Sequence, residues 1–426
     1  MVQQLGATQG TRRGTMADQA TVKALQNKVS DARLSMVCEW FMRRIVGPFP
    51  TGSLSIDLPS GRRIELSGER PGHNAHIAVH SWRALPRLAF GGDVGFAEAL
   101  GDGDCSSHDL STLLLWGIDN TEPGRSVGDS HVAWRMFSRL RHASRANTRS
   151  NSRRNIAAHY DLGNAFYEAW LDDDLNYSSG IYDTPETTIE AAQKTKLRRV
   201  AELLDLRSGE SVLEIGCGWG ALAQLLVSEH RCHVTGLTLS TQQLSYARRR
   251  LSAFDGRADI RLQDYRDVTG TFDRIVSIEM LEAVGEAFWP AYFSKIASCL
   301  SPGGTVVIQA ITIDEARFDG YRRQPDFIQL AIFPGGMLPT KTIIASQAER
   351  AGLSVVRSEH FGPSYARTLA DWRIRFDRAW PAIQALGFDE RFRRLWDYYL
   401  VYCEVGFEAG WLDVGLYQIR HAARSS

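Results

Sequence analysis

The chain has 426 residues, with 49 Lys and Arg balancing 49 Asp and Glu, so its formal net charge is zero, and 44% of the residues are apolar. This length predicts two to three domains with a sizeable core, and neutrality excludes the broad basic surface of a nucleic-acid binder, leaving only local patches for an anionic partner. The six cysteines (Cys38, Cys105, Cys217, Cys232, Cys299 and Cys403) form no Cys-x-x-Cys pair, which excludes a disulfide framework and a zinc site and predicts reduced thiols in a cytoplasmic protein.

No apolar run approaches the ~20 residues of a spanning helix, and Arg12 and Arg13 precede no apolar segment, so neither a membrane span nor a secretory leader is predicted. In chain order, residues 1–20 read as a disordered lead, with Met16 as an alternative start. Residues 21–134 predict a small α+β domain: a helical pattern at Met36, Trp40, Phe41 and Ile45, a strand over Leu54–Leu58, and a glycine turn at Gly91-Gly92. Residues 135–155 form an arginine-rich linker, with arginines at 135, 139, 141, 145, 149, 153 and 154 and no acid between them. It is either a solvated hinge or a patch for anionic phospholipid headgroups, where each charge is worth about 1 kcal/mol.

From residue 156 to 426 helices and strands alternate as a doubly wound α/β sheet requires. Thr187-Thr188-Ile189-Glu190 is a capping-box start, and the helix after it carries Ala192, Leu197, Val200 and Leu204 on one face. Strands are predicted at Val212–Ile215, His233–Gly236, Ile260–Leu262, Asp273–Ser277 and Thr305–Ile308. Helices are predicted over Ala221–Val227, from Ser240, and over Trp289–Leu300, the last ending at Pro302-Gly303-Gly304.

The most informative segment is Val212-Leu-Glu-Ile-Gly-Cys-Gly-Trp-Gly220, a strand running into a glycine turn. Gly216 and Gly218, on either side of Cys217, remove the side chains that would hold the backbone away from a ligand. Glu214 stands just before the turn, where it can orient the loop or reach a ligand amine through water. A dinucleotide site calls for Gly-x-Gly-x-x-Gly and an acid about 20 residues on; this chain reads Gly-x-Gly-x-Gly, and Gly236-Leu237-Thr238-Leu239 at that distance. The pattern is similar to the S-adenosylmethionine (SAM) site of a Rossmann-like methyltransferase. Thr238, Leu239 and Gln243 follow the second strand, though Ser240 and Gln243 also make a helix-capping pair. Gln263-Asp264-Tyr265 follows the third, where an acid can accept from an adenine amino group and an aromatic ring can stack.

Further motifs carry a more specific resemblance. They are His159-Tyr-Asp-Leu-Gly-Asn, Asn176-Tyr-Ser-Ser179, Asp264-Tyr-Arg-Asp267, Phe272-Asp-Arg-Ile-Val-Ser277, Leu281-Glu-Ala-Val-Gly285 and Ile332-Phe-Pro-Gly-Gly-Met-Leu-Pro339. In that order the set resembles the cyclopropane-fatty-acyl-phospholipid synthase family over essentially everything after residue 155. Phe90–Ala99 resembles that family's N-terminal domain more weakly. The resemblance implies a seven-stranded class I methyltransferase domain that uses SAM, held by Tyr177, Ser178, Glu214, Gly216, Cys217, Gly218, Thr238, Leu239, Gln243, Asp264, Tyr265 and Arg266. It implies as substrate an unsaturated acyl chain of a phospholipid, taken by peripheral contact with the inner face of the membrane, with a homodimer as the oligomeric expectation.

Methyl addition to an alkene leaves a carbocation that must be shielded and then deprotonated, which calls for an apolar pocket with aromatic walls. The C-terminal third supplies Phe327, Phe333, Tyr365, Trp372, Phe376, Trp380, Trp396, Tyr398, Tyr399, Tyr402 and Phe407, most of which would serve the core alone. The resemblance also implies a bound bicarbonate as proton acceptor, held by Cys, Glu, His, Ile and Tyr. Glu282, Ile311 and Tyr365 keep their places, whereas Ser179 stands for the Cys and Gln309 for the His. The serine hydroxyl and the carboxamide can still donate to an anion, but a titratable imidazole is lost, and Glu282 either orients the site or is itself the base. Cys403 matches a cysteine sometimes regarded as catalytic; methyl transfer to an alkene needs no thiolate, so pocket lining is expected of it. Loss of a proton from the added methyl closes a cyclopropane, the first expectation, and loss from the neighbouring chain carbon gives a methylated alkene, the second. A lipid-binding module with a degenerate SAM pocket and a small-molecule N- or O-methyltransferase are the alternatives from other classes.

Overall fold

The computed structural model describes residues 46–121, 162–254 and 256–423, together with 36, 37, 40 and 42–44. The lead and the arginine-rich linker, as well as His159, Tyr160 and Asp161, lie outside the described residues. Four strands, β1 (Thr51–Asp57), β2 (Arg63–Ser67), β3 (Arg70–Val79) and β4 (Cys105–Ser106), form an N-terminal sheet in the order β2-β1-β3-β4. Every second residue of β1 is buried, Leu54 and Ile56 among them, as one covered face requires. Helices α1 (Ala84–Phe90), α2 (Gly92–Gly101) and α3 (Leu110–Asp119) accompany this sheet. The turn expected at Gly91-Gly92 is the bend that joins α1 to α2, with Gly92 at φ +57°. A Cβ on Gly91 would lie 2.6 Å from the Gly95 Cα, and one on Gly95 2.2 Å from the Arg87 carbonyl oxygen, so Gly91 and Gly95 also permit a close approach of the two helices.

The second sheet has seven strands: β5 (Ser211–Ile215), β6 (His233–Thr238), β7 (Ala258–Leu262), β8 (Phe272–Ile278), β9 (Leu300–Ile313), β10 (Leu353–His360) and β11 (Leu412–His421). Their order is β10-β11-β9-β8-β5-β6-β7. The five strands from β7 to β9 run parallel, and β11 and β10 complete the edge antiparallel. In chain order the helices are α4 (Asn164–Glu168), α5 (Ile189–Leu204), α6 (Ala221–Ser228), α7 (Thr241–Arg250), α8 (Leu281–Val284), α9 (Trp289–Cys299), α10 (Glu315–Arg323), α11 (Lys341–Arg350), α12 (Gly362–Ala385) and α13 (Glu390–Glu408). Both helix starts read from the sequence are capped, the first one residue later than a Thr187–Glu190 box places it: Thr188 accepts from the Ala191 N–H at 3.3 Å and Ser240 from the Gln243 N–H at 3.3 Å.

One boundary differs. Pro302-Gly303-Gly304, expected to separate helix from strand, lies inside β9, whose register against β8 slips between the pairs Phe272–Leu300 and Arg274–Thr305. Gly303, at φ +78°, supplies the left-handed residue the irregularity needs. The strand order reverses between β6 and β8 on either side of β5, so the carboxyl end of β5 is the switch point at which open α/β sheets hold ligands. Over that end lies one apolar core to which both sheets contribute: Leu54, Ile56 and Ile77 from the first, and Trp170, Trp372, Phe376 and Trp396 around the second.

Candidate active site

Two cavities open at the carboxyl ends of β5, β6 and β8. The smaller, about 130 Å³, is lined by Tyr177, Ser178, Glu214, Gly216, Cys217, Gly218, Thr238, Leu239, Gln243 and Tyr265 among others. Ten of the twelve residues expected around the cofactor therefore meet here. Asp264 and Arg266 do not. The Asp264 carboxylate accepts from the Arg266 backbone N–H at 3.0 Å and from its guanidinium at 2.6 Å, an ion pair within a short turn after β7, and Gln263 takes their place on the wall.

The glycine turn has two different reasons for its glycines. Gly216, at φ +82°, packs so closely under Met280 that a Cβ would fall 2.5 Å from the Met280 Cγ. Gly218, at φ +52°, has nothing within 4 Å of a Cβ, so its side-chain direction is left open on the cavity wall. Opposite the turn, Glu214 is 3% exposed and its Oε2 has no hydrogen-bond partner; burial pushes its carboxyl up to about 8. An orphaned acid beside an open glycine fits an ammonium-bearing nucleoside such as SAM.

Lys196 is a wall residue that the motif reading missed. Its ammonium is 1% exposed and donates to the Ser178 Oγ at 2.7 Å. Burial holds its pKa down to about 8, against the pull of Glu279, Asp172 and Glu214. The signal was a lysine on the buried stripe of α5, beside Leu197 and Val200, where a cation needs acids around it.

The larger cavity, about 620 Å³, is mostly apolar and takes walls from both sheets' surroundings, from Leu54 and Ile56 to Tyr399 and Phe407. Of the aromatic residues expected around a cation, Phe333, Tyr365, Tyr398, Tyr399, Tyr402 and Phe407 line it, whereas Trp372, Phe376, Trp380 and Trp396 pack in the core. Tyr177, Glu279 and Met280 line both cavities; there a ligand in one meets a ligand in the other.

At that junction stands the second residue the motifs missed. Glu279, at φ +50°, lies at the end of β8, three residues before Glu282. Its carboxylate accepts from the Ser179 backbone N–H at 2.9 Å, the Gln309 Nε2 at 2.7 Å and the Tyr365 hydroxyl at 2.7 Å. Burial raises its pKa, opposed by those three donors and by Lys196. The donors expected to surround a bicarbonate thus converge on a carboxylate of the chain itself. Ser179 contributes its backbone rather than its hydroxyl, which donates to the Gly180 carbonyl at 2.9 Å. The set does not fit an additional bicarbonate.

Glu282 accepts from the Ile311 N–H through Oε1, while its Oε2 is buried without a partner. Burial, then the charge of Glu279, pushes it up to about 8, so near neutral pH it is a protonated acid beside an ionisable one. Cys403 lines the large cavity, and burial with Asp326 nearby raises its thiol pKa far above the usual range. A thiolate nucleophile is not supported there.

Fold and site together define a class I SAM-dependent methyltransferase with a large, mostly apolar cavity. Residues 147–418 match the family model of mycolic acid cyclopropane synthetase, and the chain belongs to that family. It is 40% identical to the tuberculostearic acid methyltransferase UfaA1 of Mycobacterium tuberculosis, over 79% of this chain and 81% of the relative. It is 35% identical to the cyclopropane-fatty-acyl-phospholipid synthase of Escherichia coli, over 85% of this chain and 91% of that one. Among solved structures, the mycolic acid cyclopropane synthase CmaA1 complexed with SAH and CTAB is 29% identical with a TM-score of 0.58, covering 63% of this chain and 97% of its own. Among the described residues no helix is long and apolar enough to cross a membrane.

Proposed function

We propose that the protein adds a methyl group from SAM to the double bond of an unsaturated phospholipid acyl chain, with Glu279 as the proton acceptor, and that the product is a methyl-branched chain. The observation that carries the reading is the Glu279 carboxylate, aimed by three donors at the point where the nucleoside-sized and chain-sized cavities meet. SAM supplies an activated methyl group, whose addition to one alkene carbon leaves a carbocation on the chain. The residues have three tasks. The apolar walls exclude water from that cation, and the stacked Tyr365 and Phe407 rings, 4.5 Å apart, offer it their faces. The Glu279 carboxylate, which with Tyr177 lines both cavities, stabilises the positive charge and accepts the departing proton on an oxygen that already accepts hydrogen bonds.

The base is here a side chain of fixed position, and its position decides which proton leaves. The methyl-branched outcome is supported by the departures from the family pattern at Ser179 and Gln309, whose donors meet on Glu279, and by relatives named as a tuberculostearic acid methyltransferase and a probable fatty acid methyltransferase. A cyclopropane is the second reading, favoured by the E. coli relative. Expression in a bacterium that makes monounsaturated phospholipids, followed by gas chromatography with mass spectrometry of the acyl chains, separates the two. Unmodified chains would overturn both.

Lys196 is proposed to hold Ser178 and to supply the positive charge facing the carboxylate end of SAM. Lys196→Met is expected to weaken SAM binding about tenfold. The lysine pKa is held down to about 8 and the Glu214 carboxyl is pushed up to the same range, so the pH profile of affinity around pH 8 should differ between wild type, where both groups titrate, and the variant, where only Glu214 does. Calorimetry across pH 6.5–9 reads both; an identical profile in wild type and variant removes Lys196 from the site.

Access to lipid is proposed to run through the helical segment near residue 40. Met36, Val37 and Trp40 are 58%, 63% and 65% exposed, while Met42 and Val46 of the same segment line the large cavity. An exposed aromatic and apolar face continuous with an acyl-chain cavity suits a bilayer surface. Trp40→Glu is expected to lower sedimentation with phospholipid vesicles at least threefold at high salt, where charge contacts are screened. Equal sedimentation would remove this face from the membrane contact.

A further inference from the structure

Among the described residues that line the large cavity, Arg317 is the one cation. Its guanidinium carbon Cζ sits over the Trp411 ring, 3.3 Å from the centroid, and its Nη1 is buried with no hydrogen-bond partner. Burial lowers its pKa, and Asp314 is the one carboxylate whose charge acts on it. Asp314 is occupied elsewhere, capping α10 through the Ala316 N–H at 3.0 Å. The four acids on the cavity wall have donors of their own. Asp93 takes the Phe327 N–H at 2.8 Å, Asp326 the Gln329 N–H at 2.9 Å, Glu282 the Ile311 N–H, and Glu279 its three donors.

Carboxylic acids in such a cavity can shed their charge by taking up a proton, and burial raises Asp93 to about 7 and Asp326 to about 6. An arginine has no such escape. A half-buried guanidinium whose Nη1 has no partner therefore carries a desolvation cost that an anionic oxygen in the cavity would relieve. The position is also built rather than incidental. The Asp314 N–H donates to the Trp411 carbonyl at 3.0 Å, and Leu412 pairs with Ile313 across β11 and β9, so Trp411 and the start of α10 are held together under the guanidinium. Ile313 lies two residues along β9 from Ile311, whose N–H holds Glu282, a separation of about 7 Å along the strand.

We infer that Arg317, seated on Trp411, is the anchor for the anionic head of the acyl-chain substrate, a phosphodiester or a carboxylate, and so fixes how far along the chain the double bond meets Glu279. This rests on the acyl-chain reading above, but its test does not require turnover. Dodecyl phosphate, laurate and 1-dodecanol, each below its micelle concentration, are titrated calorimetrically into the full chain and into Arg317→Gln and Arg317→Lys. Wild type is expected to bind at least one anion about tenfold or more tighter than the alcohol. Arg317→Gln should lose that preference, and Arg317→Lys should keep part of it, because it retains the charge without the planar fork. SAM titration of the same samples reports that the variants are folded. Preference for dodecyl phosphate assigns the site to a phospholipid head, and preference for laurate to a free fatty acid. An anion preference equal in wild type and Arg317→Gln, or absent from wild type, overturns the inference. Wild type that binds dodecyl phosphate through Arg317 yet modifies no acyl chain supports the anion site and sinks the proposed function.

Discussion

Glu279→Gln is expected to lower turnover by about 10²-fold to 10⁴-fold, the range of a lost general base, with SAM affinity largely kept. Gln has the size of Glu, so the walls stay packed, but it cannot take up the proton. Its NH₂ would also face the donors from Gln309 and Tyr365 that now point at a carboxylate. The pH profile gives an independent readout. Burial raises the Glu279 pKa from 4.5, so wild-type turnover should climb with pH above the ordinary carboxylate range as the base ionises. It should flatten or fall near pH 8, where Glu282 begins to add a second negative charge and Lys196 loses its positive one. Glu279→Ala leaves the Ser179 N–H, the Gln309 amide and the Tyr365 hydroxyl around an empty space of carboxylate size, so formate or bicarbonate should restore part of its activity. Glu282→Gln, which mimics the neutral acid that Glu282 is below pH 8, should stay within about tenfold of wild type. A Glu279→Gln enzyme as fast as wild type, beside an inactive Glu282→Gln enzyme, would exchange the two roles.

The parts of this molecule that were legible in the sequence are those governed by local rules. The glycine turn after Val212–Ile215, the caps at Thr188 and Ser240 and the alternation of strands and helices each follow from backbone chemistry within a few residues, and each has its counterpart in the structure. The extension of β9 back to Leu300 did not follow, because a Pro-Gly-Gly run reads as a break until a neighbouring strand is present to carry it as an irregularity. The glycines at 91 and 92 mark the turn between α1 and α2, but the close approach of Gly91 to Gly95 was not legible, because it needs the partner helix in place.

The site was legible unevenly. Residues on the walls could be placed by position in a motif, whereas partnership could not. Ser179 was counted for its hydroxyl although its backbone does the donating. Asp264 and Arg266 were each placed beside the ligand, and the fold adds that they also pair with one another. Glu279 and Lys196 belong to no motif as separate residues; their meaning arises from burial in one another's neighbourhood, with sequence separations that only the folded chain closes. The departures at Ser179 and Gln309 were nevertheless a pointer, since a base site that loses an imidazole must recover its basicity from another group, and the nearest unassigned acid at the end of β8 was Glu279.

Gly218→Val is expected to reduce SAM affinity at least 100-fold and to leave a folded protein. No protein atom stands within 4 Å of a Cβ at this position, so a valine meets no wall and projects its branches into the smaller cavity, where the backbone of the turn has to approach the ligand. The strain of a branched residue at φ +52° costs about 1–2 kcal/mol, a lowering of the melting temperature by only about 1–3 °C in a unit of this size. Gly216→Ala separates the two functions of the turn. Its Cβ would press on Met280 at 2.5 Å, so its first consequence is displacement of a residue shared by both cavities, and turnover should suffer more than SAM affinity. Calorimetry with SAM and a thermal melt of each variant read these outcomes. A folded Gly218→Val protein that binds SAM as wild type does would mean that the ligand does not lie over Gly218, and the assignment of the smaller cavity to SAM would fall with it.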